Sequence, residues 1–339
     1  MKIGLIGYGA WGTHHADAIR ETAGMELAGV CARSQESVAA AREKLRVPAM
    51  RDYGELLALP GLDAVDIVLP THLHLEVAAA ALRAGKHVLL EKPMALDPAQ
   101  CQELIAAARA SGKVLYIGHE ARLSTQWGQM RSLIEQGAIG RAQYATIDLW
   151  RRPYRLGSDS WRWDPARVGS WVLEEPIHFF DLVCWWLREA GRPESVYARA
   201  SRLPTTPEGL WDNMAAIFSF ESGAHATVTQ TLAAAEHHQT AKVVGDRGAL
   251  LAFWDGEQDR TTHPVASLKL CRDGRLEEMA IGHEGAGEFF ELRTELAHFL
   301  AVCRGETQPV ITPAEAALAV SLCHAAEQSI RSRIPVACL

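Results

Sequence analysis

No stretch of this chain carries the uninterrupted apolar run of roughly 20 residues that a bilayer-spanning helix needs, which excludes a helical membrane anchor. Basic residues are not in excess. The formal charge of −7, from 34 Lys and Arg against 41 Asp and Glu, argues against nucleic acid or an anionic membrane as partner. No C-x-x-C pair occurs among the seven cysteines (31, 101, 184, 271, 303, 323 and 338), an odd and scattered set. Reduced, mostly core thiols in a cytoplasmic protein are therefore expected. There is no internal repeat and no low-complexity linker. With a first strand beginning at Lys2, no signal peptide is expected. The 14 histidines hold no recognised metal-ligand spacing: His14-His15, His72/His74 and His237-His238 lack Cys, Asp or Glu at suitable intervals, so no metal dependence is expected.

What is present suits a soluble globular protein, 48% apolar and 22% charged, and 339 residues suffice for two domains with separate cores. Up to about residue 120, short apolar strands (Lys2–Ile6, Leu27–Cys31, Ala64–Leu69, His87–Leu90, Val114–Ile117) alternate with helical stretches (Thr13–Glu21, Ser34–Leu45, Leu73–Ala84, Pro98–Ala110). Alternation of this kind is the mark of a parallel sheet flanked by helices. After Gly118 come a helix over Ser124–Gln136, a strand over Gln143–Trp150 and a helix over Ile177–Leu187. Successive strands then run from Ser195 to Ile281, with Glu221-Ser222-Gly223 and Arg272-Asp273-Gly274 as turns, before helices over Gly287–Arg304 and Pro313–Arg331. The expected fold is α/β: a Rossmann doubly wound parallel sheet over 1–120, then an α+β domain over 121–339 with a large, open, mainly antiparallel, meander-like sheet.

The first strand runs into Gly7-Tyr8-Gly9-Ala10-Trp11-Gly12, a G-x-G-x-x-G loop opening a helix. Gly7 permits the tight turn, Gly9 lets a pyrophosphate approach the backbone, and Gly12 lets helix and strand pack closely. The helix N-terminus then presents free N–H groups to the phosphates. This context predicts dinucleotide binding by Gly7, Tyr8, Gly9, Ala10, Trp11 and Gly12. The second strand ends Val30-Cys31-Ala32-Arg33-Ser34, with no acidic residue to hold ribose hydroxyls. Arg33 and the Ser34 hydroxyl suit a 2′-phosphate, which favours NADP(H) over NAD(H). On the alternative reading Arg33 is an exposed loop residue and Ser34 only a helix cap.

Three further segments carry chemistry: Leu69-Pro70-Thr71-His72-Leu73-His74, Gly85-Lys86-His87-Val88-Leu89-Leu90-Glu91-Lys92-Pro93, and Trp161-Arg162-Trp163-Asp164-Pro165 followed by Gly169 to Asp181. With the glycine loop, they make the chain resemble the glucose–fructose oxidoreductase/inositol dehydrogenase (Gfo/Idh/MocA) family over essentially its whole length. The resemblance implies a pyridine-nucleotide oxidoreductase acting on a sugar, cyclitol or sugar-acid derivative. It also implies self-association, as a homodimer or homotetramer, through the exposed face of the C-terminal sheet.

Lys92 lies just past a strand C-terminus, where an ammonium can hold a substrate oxygen as alkoxide character develops. Otherwise it is a surface lysine paired with Glu91; the resemblance makes it the catalytic lysine. His178 can carry the hydroxyl proton because imidazole titrates near neutrality. Otherwise it packs beneath Phe179 and Phe180. The family pattern D-x-G-x-H-x-x-D appears here as Glu174-Glu175-Pro176-Ile177-His178-Phe179-Phe180-Asp181. His178 and Asp181 match, Glu174 replaces the aspartate that assists the histidine, and Pro176 replaces glycine. Pro70, Thr71, His74, Glu91 and Lys92 are expected along the nicotinamide side, with a core role for His74 left open. His119 and Arg122 fall near the interdomain junction, in Gly118-His119-Glu120-Ala121-Arg122, where the family has asparagine at the Glu120 position.

Arginine and aromatic residues crowd the next segment: Trp150, Arg151, Arg152, Tyr154, Arg155, Trp161, Arg162, Trp163 and Arg167. Aromatic faces suit a sugar ring and guanidinium forks suit an anion, so an anionic carbohydrate is one expected substrate. The plainer reading is packing within the loop. Lys92, Arg122, Arg152, Tyr154, Trp161, Arg162, His178 and Asp181 are the expected substrate contacts. Two other activities fit the same residues: a redox-neutral, NAD-dependent glycosidase using transient oxidation and elimination, and a non-catalytic nucleotide sensor.

Overall fold

The computed structural model describes residues 1–256, 261–282 and 286–338. The chain divides into two compact units, Met1–His119 with Leu292–Ala317, and Glu120–Glu291 with Leu318–Leu339.

In the first unit, strands β1 (Lys2–Ile6), β2 (Glu26–Cys31), β3 (Ala49–Met50), β4 (Ala64–Ile67), β5 (His87–Glu91) and β6 (Leu115–Gly118) alternate with helices α1 (Ala10–Glu21), α2 (Gln35–Leu45), α3 (Tyr53–Leu57), α4 (His74–Arg83) and α5 (Pro98–Ser111). The strands pair in parallel in the order β3-β2-β1-β4-β5-β6. The order therefore reverses between β1 and β4, the switch point at which such sheets bind ligands beyond their carboxyl ends. All four residues of β4 are buried, as helices on both faces demand. Helix starts follow from side-chain caps. Ser34 Oγ accepts the Ser37 N–H at 3.0 Å, and Asp97 accepts from Gln100 N–H at 2.9 Å ahead of Pro98. β3 and α3 were not expected, because two- and five-residue elements carry too little periodicity to be read.

The second unit contains α6 (Trp127–Glu135), β7 (Ala142–Trp150), α7 (Pro165–Val168), α8 (Pro176–Trp186) and β8 to β14 (Pro193–Ser201, Asn213–Phe220, His225–Thr231, His238–Gly245, Gly248–Asp255, Val265–Arg272 and Arg275–Met279). Helices α9 (Glu288–Cys303) and α10 (Pro313–Ser332) and strand β15 (Val336–Ala337) complete the chain. The nine strands order as β14-β13-β12-β11-β7-β10-β9-β8-β15. This corrects the expected meander. β7 enters the middle of the sheet and pairs in parallel with β10, from Tyr144↔His225 to Trp150↔Thr231. Its alternation explains the position: Ala145, Ile147 and Leu149 are buried, which a central strand over a core requires. The apolar α8 covers that face, with Phe180 edge-on to Phe218 at 4.7 Å. The opposite face exposes Trp150, Ile217, Val244 and Leu251.

The C-terminal segment was expected to lie wholly within the second domain, but Leu292–Ala317 groups with the first unit. Leu292, Leu296, Phe299 and Val302, one stripe of α9, share a core with Ile3, Leu5, Ile19, Leu89 and Tyr116. A helical apolar stripe shows that it must be buried, not against what.

Candidate active site

The glycine loop has the backbone that dinucleotide binding needs. Gly7 sits at φ +108°, where a Cβ would lie 2.1 Å from the Val68 carbonyl oxygen, and a Cβ on Gly12 would lie 1.9 Å from the Gly7 oxygen. At Gly9 a Cβ would meet nothing within 4 Å, so the backbone there is open to an approaching group. α1 begins at Ala10 with no side-chain cap, leaving its first N–H groups available to an anion. These residues fit a pyrophosphate. Tyr8 is 8% exposed and packs in the core beneath the loop. At the tip of β2, Arg33 is exposed and Ser34 caps α2, while Arg51 Nε donates to the Arg33 carbonyl at 2.9 Å. Arg51, just past β3, thus brings a second guanidinium against this loop, where the sequence pattern pointed to one.

Lys92 follows the last residue of β5 and is half-buried, joined to Pro93 by a cis peptide bond. The Glu91 carboxylate beside it is densely bonded. Oε1 accepts from Trp11 Nε1 at 2.8 Å and lies 3.1 Å from His15 Nε2, and Oε2 accepts the Lys92 N–H at 3.2 Å. His15 Nδ1 in turn lies 2.8 Å from Asp66 Oδ2. Burial by itself lowers the His15 pKa and raises that of Glu91. The charges and hydrogen bonds of Asp66 and Glu91 outweigh it for the histidine, lifting it to about 10, and those of His15 hold Glu91 at about 2. His74 has the core role: 1% exposed, it places Nδ1 2.8 Å from the Pro93 carbonyl and Nε2 2.8 Å from the Leu69 carbonyl, tying the lysine turn to the loop carrying Pro70 and Thr71. Thr71, 2% exposed, is buried there too.

In the second unit, Pro176 opens α8 at its first turn and presents His178 and Asp181 three residues apart. His178 is 6% exposed, and its Nε2 lies 3.7 Å from Glu120 Oε1. Asp181 receives the Arg122 fork, Nε to Oδ2 and Nη2 to Oδ1, each at 2.7 Å, with both residues buried. Arg162 Nε is 3.2 Å from Glu174 Oε2, Arg151 pairs with Glu175, and His237 Nε2 lies 3.5 Å from the same Glu175. Arg152 Nε donates to the Ala235 carbonyl at 2.6 Å. Of the aromatic residues expected to face a sugar, Tyr154 and Trp161 lie in a core with Trp163 packed against it, whereas Trp150 is exposed. Tyr154, Trp161 and Trp171 cluster with Val168, Leu210 and Leu232, because large apolar rings in a long loop bury one another.

Several functional candidates escaped sequence reasoning: His15, Asp66, Glu120, Glu175, His237 and Arg51. His15 falls three residues after Gly12, but only the fold brings it to Asp66 and Glu91. Among the described residues, no group of three or more His, Cys, Asp or Glu could hold a metal ion.

Residues 1–119 match the model of an oxidoreductase family with an NAD-binding Rossmann fold, and residues 127–251 match the Gfo/Idh/MocA C-terminal domain. The chain belongs to the Gfo/Idh/MocA family. This oxidoreductase is 28% identical to the 1,5-anhydro-D-fructose reductase of Ensifer adhaerens, over 87% of the chain and 85% of the relative. It is 26% identical to the myo-inositol 2-dehydrogenase of Thermotoga maritima, over 98% and 97%. Its fold matches the aldose-aldose oxidoreductase of Caulobacter crescentus with a TM-score of 0.86 at 20% identity, covering 99% of each chain. The pairing of a parallel Rossmann sheet with a mostly antiparallel sheet is thus the family fold, and the chain is an enzyme of the dehydrogenase/reductase class.

Proposed function

We propose that this enzyme interconverts a hydroxyl and a carbonyl on a neutral cyclic polyol or sugar, with Lys92 holding the reacting oxygen and His178 exchanging its proton. The observation that carries the reading is the lysine turn. Lys92 leaves the carboxyl end of β5, and the carboxylate beside it is bonded to Trp11 and His15 of the glycine-loop helix. The backbone of the lysine turn and the dinucleotide loop therefore belong to one bonded network. A bound nicotinamide supplies the hydride acceptor or donor. The Lys92 ammonium stabilises negative charge on the substrate oxygen as the carbon–hydrogen bond breaks or forms. His178 takes the hydroxyl proton during oxidation and returns it during reduction. Glu174 is the carboxylate we assign to assist it, and Glu120 is a second within reach.

Neutral substrates are favoured because three of the arginines expected near the substrate already have carboxylates, Asp181 for Arg122, Glu175 for Arg151 and Glu174 for Arg162, and Arg152 donates to the Ala235 carbonyl. The names of the anhydrofructose reductase and inositol dehydrogenase relatives point the same way. For the cofactor, Arg33 at the tip of β2 and Arg51 bonded to its carbonyl, with alanine at position 32, support NADP(H). The exposed face bearing Trp150, Ile217, Val244 and Leu251 supports self-association through the large sheet.

The test is turnover of the enzyme and its Lys92→Met variant with myo-inositol, 1,5-anhydro-D-fructose, D-glucose and D-glucuronate, each with NAD(H) and NADP(H). Neutral substrates should exceed glucuronate, NADP(H) should exceed NAD(H), and Lys92→Met should lose about 10³-fold in kcat while still binding dinucleotide. Near-normal turnover by Lys92→Met sinks the lysine assignment. Cleavage of aryl glycosides without net cofactor reduction would instead establish the redox-neutral reaction.

A further inference from the structure

His15 stands 1% exposed on the inner side of α1, between two carboxylates on different strands. One ring nitrogen meets Asp66 of β4 at 2.8 Å and the other meets Glu91 of β5 at 3.1 Å. Ionised carboxylates only accept, so with both ionised the two ring nitrogens donate and the ring is an imidazolium, the form that the two charges favour although burial raises the Asp66 pKa as well. Trp11, one turn earlier on α1, donates to the same Glu91 oxygen, and the other Glu91 oxygen takes the Lys92 N–H. The cluster thus joins three pieces of chain: the helix that starts at the dinucleotide loop, the middle of β4, and the turn carrying Lys92. Stability does not call for such a group, because well-packed apolar residues generally serve a buried site as well or better. Geometry does. An imidazolium with two fixed acceptors sets the orientation of the Glu91 carboxylate, and that carboxylate sets the backbone from which Lys92 projects.

We propose that His15 is a positioning residue for Lys92, clamping Glu91 so that the lysine turn stays in register with the dinucleotide-bearing helix. The proposal rests on the reading of Lys92 as the group that holds the substrate oxygen.

The experiment compares His15→Gln, Glu91→Gln and Lys92→Met in the full-length enzyme, using the neutral substrate with the fastest turnover among myo-inositol and 1,5-anhydro-D-fructose. Four quantities are measured well below each variant's melting temperature: kcat, cofactor KM, NAD(P)H affinity from tryptophan-to-nicotinamide energy transfer, and the primary deuterium isotope effect on kcat with deuterated reduced cofactor. His15→Gln keeps one donor and loses the charge. It should lower kcat about 10²-fold with dinucleotide affinity held within about 3-fold, because a shift near 1 Å at a reacting group costs that much. Glu91→Gln keeps an acceptor for the Lys92 N–H and should lose about 10-fold in kcat. Both should enlarge the isotope effect, since a misplaced lysine slows the chemical step itself.

A purely structural histidine would lower the melting temperature while leaving kcat within about 2-fold and the isotope effect unchanged, and that result overturns the proposal. If His15→Gln does not fold, Glu91→Gln decides by the same criterion. Lost turnover in Lys92→Met with normal turnover in the other two removes only the role of His15. Persistent turnover in Lys92→Met removes the lysine assignment and this inference with it.

Discussion

Replacing Arg122 by methionine isolates the energetics of a bidentate ion pair whose two partners are both buried. The guanidinium fork donates twice to Asp181, at 2.7 Å for each bond, and the two side chains are 3% and 4% exposed. The guanidinium carbon also lies 5.0 Å from the Trp185 ring centre. Methionine fills much of the arginine stem but leaves the Asp181 carboxylate buried without its cation. The Cys184 thiol, already pushed up by burial and then by the Asp181 charge, offers that carboxylate no compensation. Removing one partner of a buried pair costs about 3–5 kcal/mol. The lost cation–π contact adds about 0.5–2 kcal/mol. For a unit of this size, where about 1 kcal/mol moves Tm by roughly 2–4 °C, the melting temperature should fall by about 7–28 °C. Calorimetry and tryptophan-detected urea unfolding at pH 7 read the change. Arg122→Met/Asp181→Leu should return to within about 2 kcal/mol of the parent, because an apolar pair carries no stranded charge. Should the single variant lose less than about 1 kcal/mol, the pair is not desolvated as described and the reasoning fails.

Other outcomes follow from single positions. Glu291 is 7% exposed and accepts the Gly287 N–H at 3.0 Å, and burial raises its pKa from 4.5 to about 7. The folded state therefore keeps a proton that the unfolded chain releases, so stability is full below pH 4.5 and falls as pH rises toward 7. The difference corresponds to about 3 kcal/mol, and Glu291→Gln should remove this slope across a pH 4–8 unfolding series. A series with the parent's slope would refute the assignment. Gly12→Ala puts a Cβ 1.9 Å from the Gly7 oxygen, and should abolish measurable NAD(P)H binding in a fluorescence titration. Arg51→Ala should raise KM for NADP(H) about 10-fold and leave NAD(H) unchanged; equal effects on both cofactors would exclude a 2′-phosphate role.

The readable parts of the chain are those whose cause is local. β1, the glycine loop and the start of α2 announce themselves within a few residues through an apolar run, a required positive φ and a serine cap. The strands Asn213–Phe220 and His225–Thr231 alternate clearly enough to be placed within a residue or two. Their spatial order is another matter. β7 reads like any half-buried strand, and nothing in its own nine residues says that it separates β10 from β11. That choice belongs to the sum of long-range pairings. The same holds for α9, whose stripe of Leu292, Leu296, Phe299 and Val302 states that it is buried but not that its core is the one built by β1.

Charge pairing shows the limit most sharply, because an ion pair has no sequence signature unless its partners share a helix. Read alone, Arg122, Arg151 and Arg162 are three cations suited to an anionic ligand. Folded, each meets a carboxylate, two of them from the Glu174-Glu175 pair that sequence reasoning treated as part of a motif. Proximity in sequence also misled about histidine. His178 stood out because a motif surrounded it, whereas His15 sat in the first helix as one of 14 and attracted only a metal-site comparison. Asp66, 51 residues away from His15, and Glu91, 76 residues away, raise its pKa and tie it to the carboxylate that accepts the Lys92 N–H. A buried histidine between two carboxylates cannot be exchanged for a neutral side chain without stranding them. Its substitution should therefore report on the lysine turn even though His15 itself is sealed from solvent.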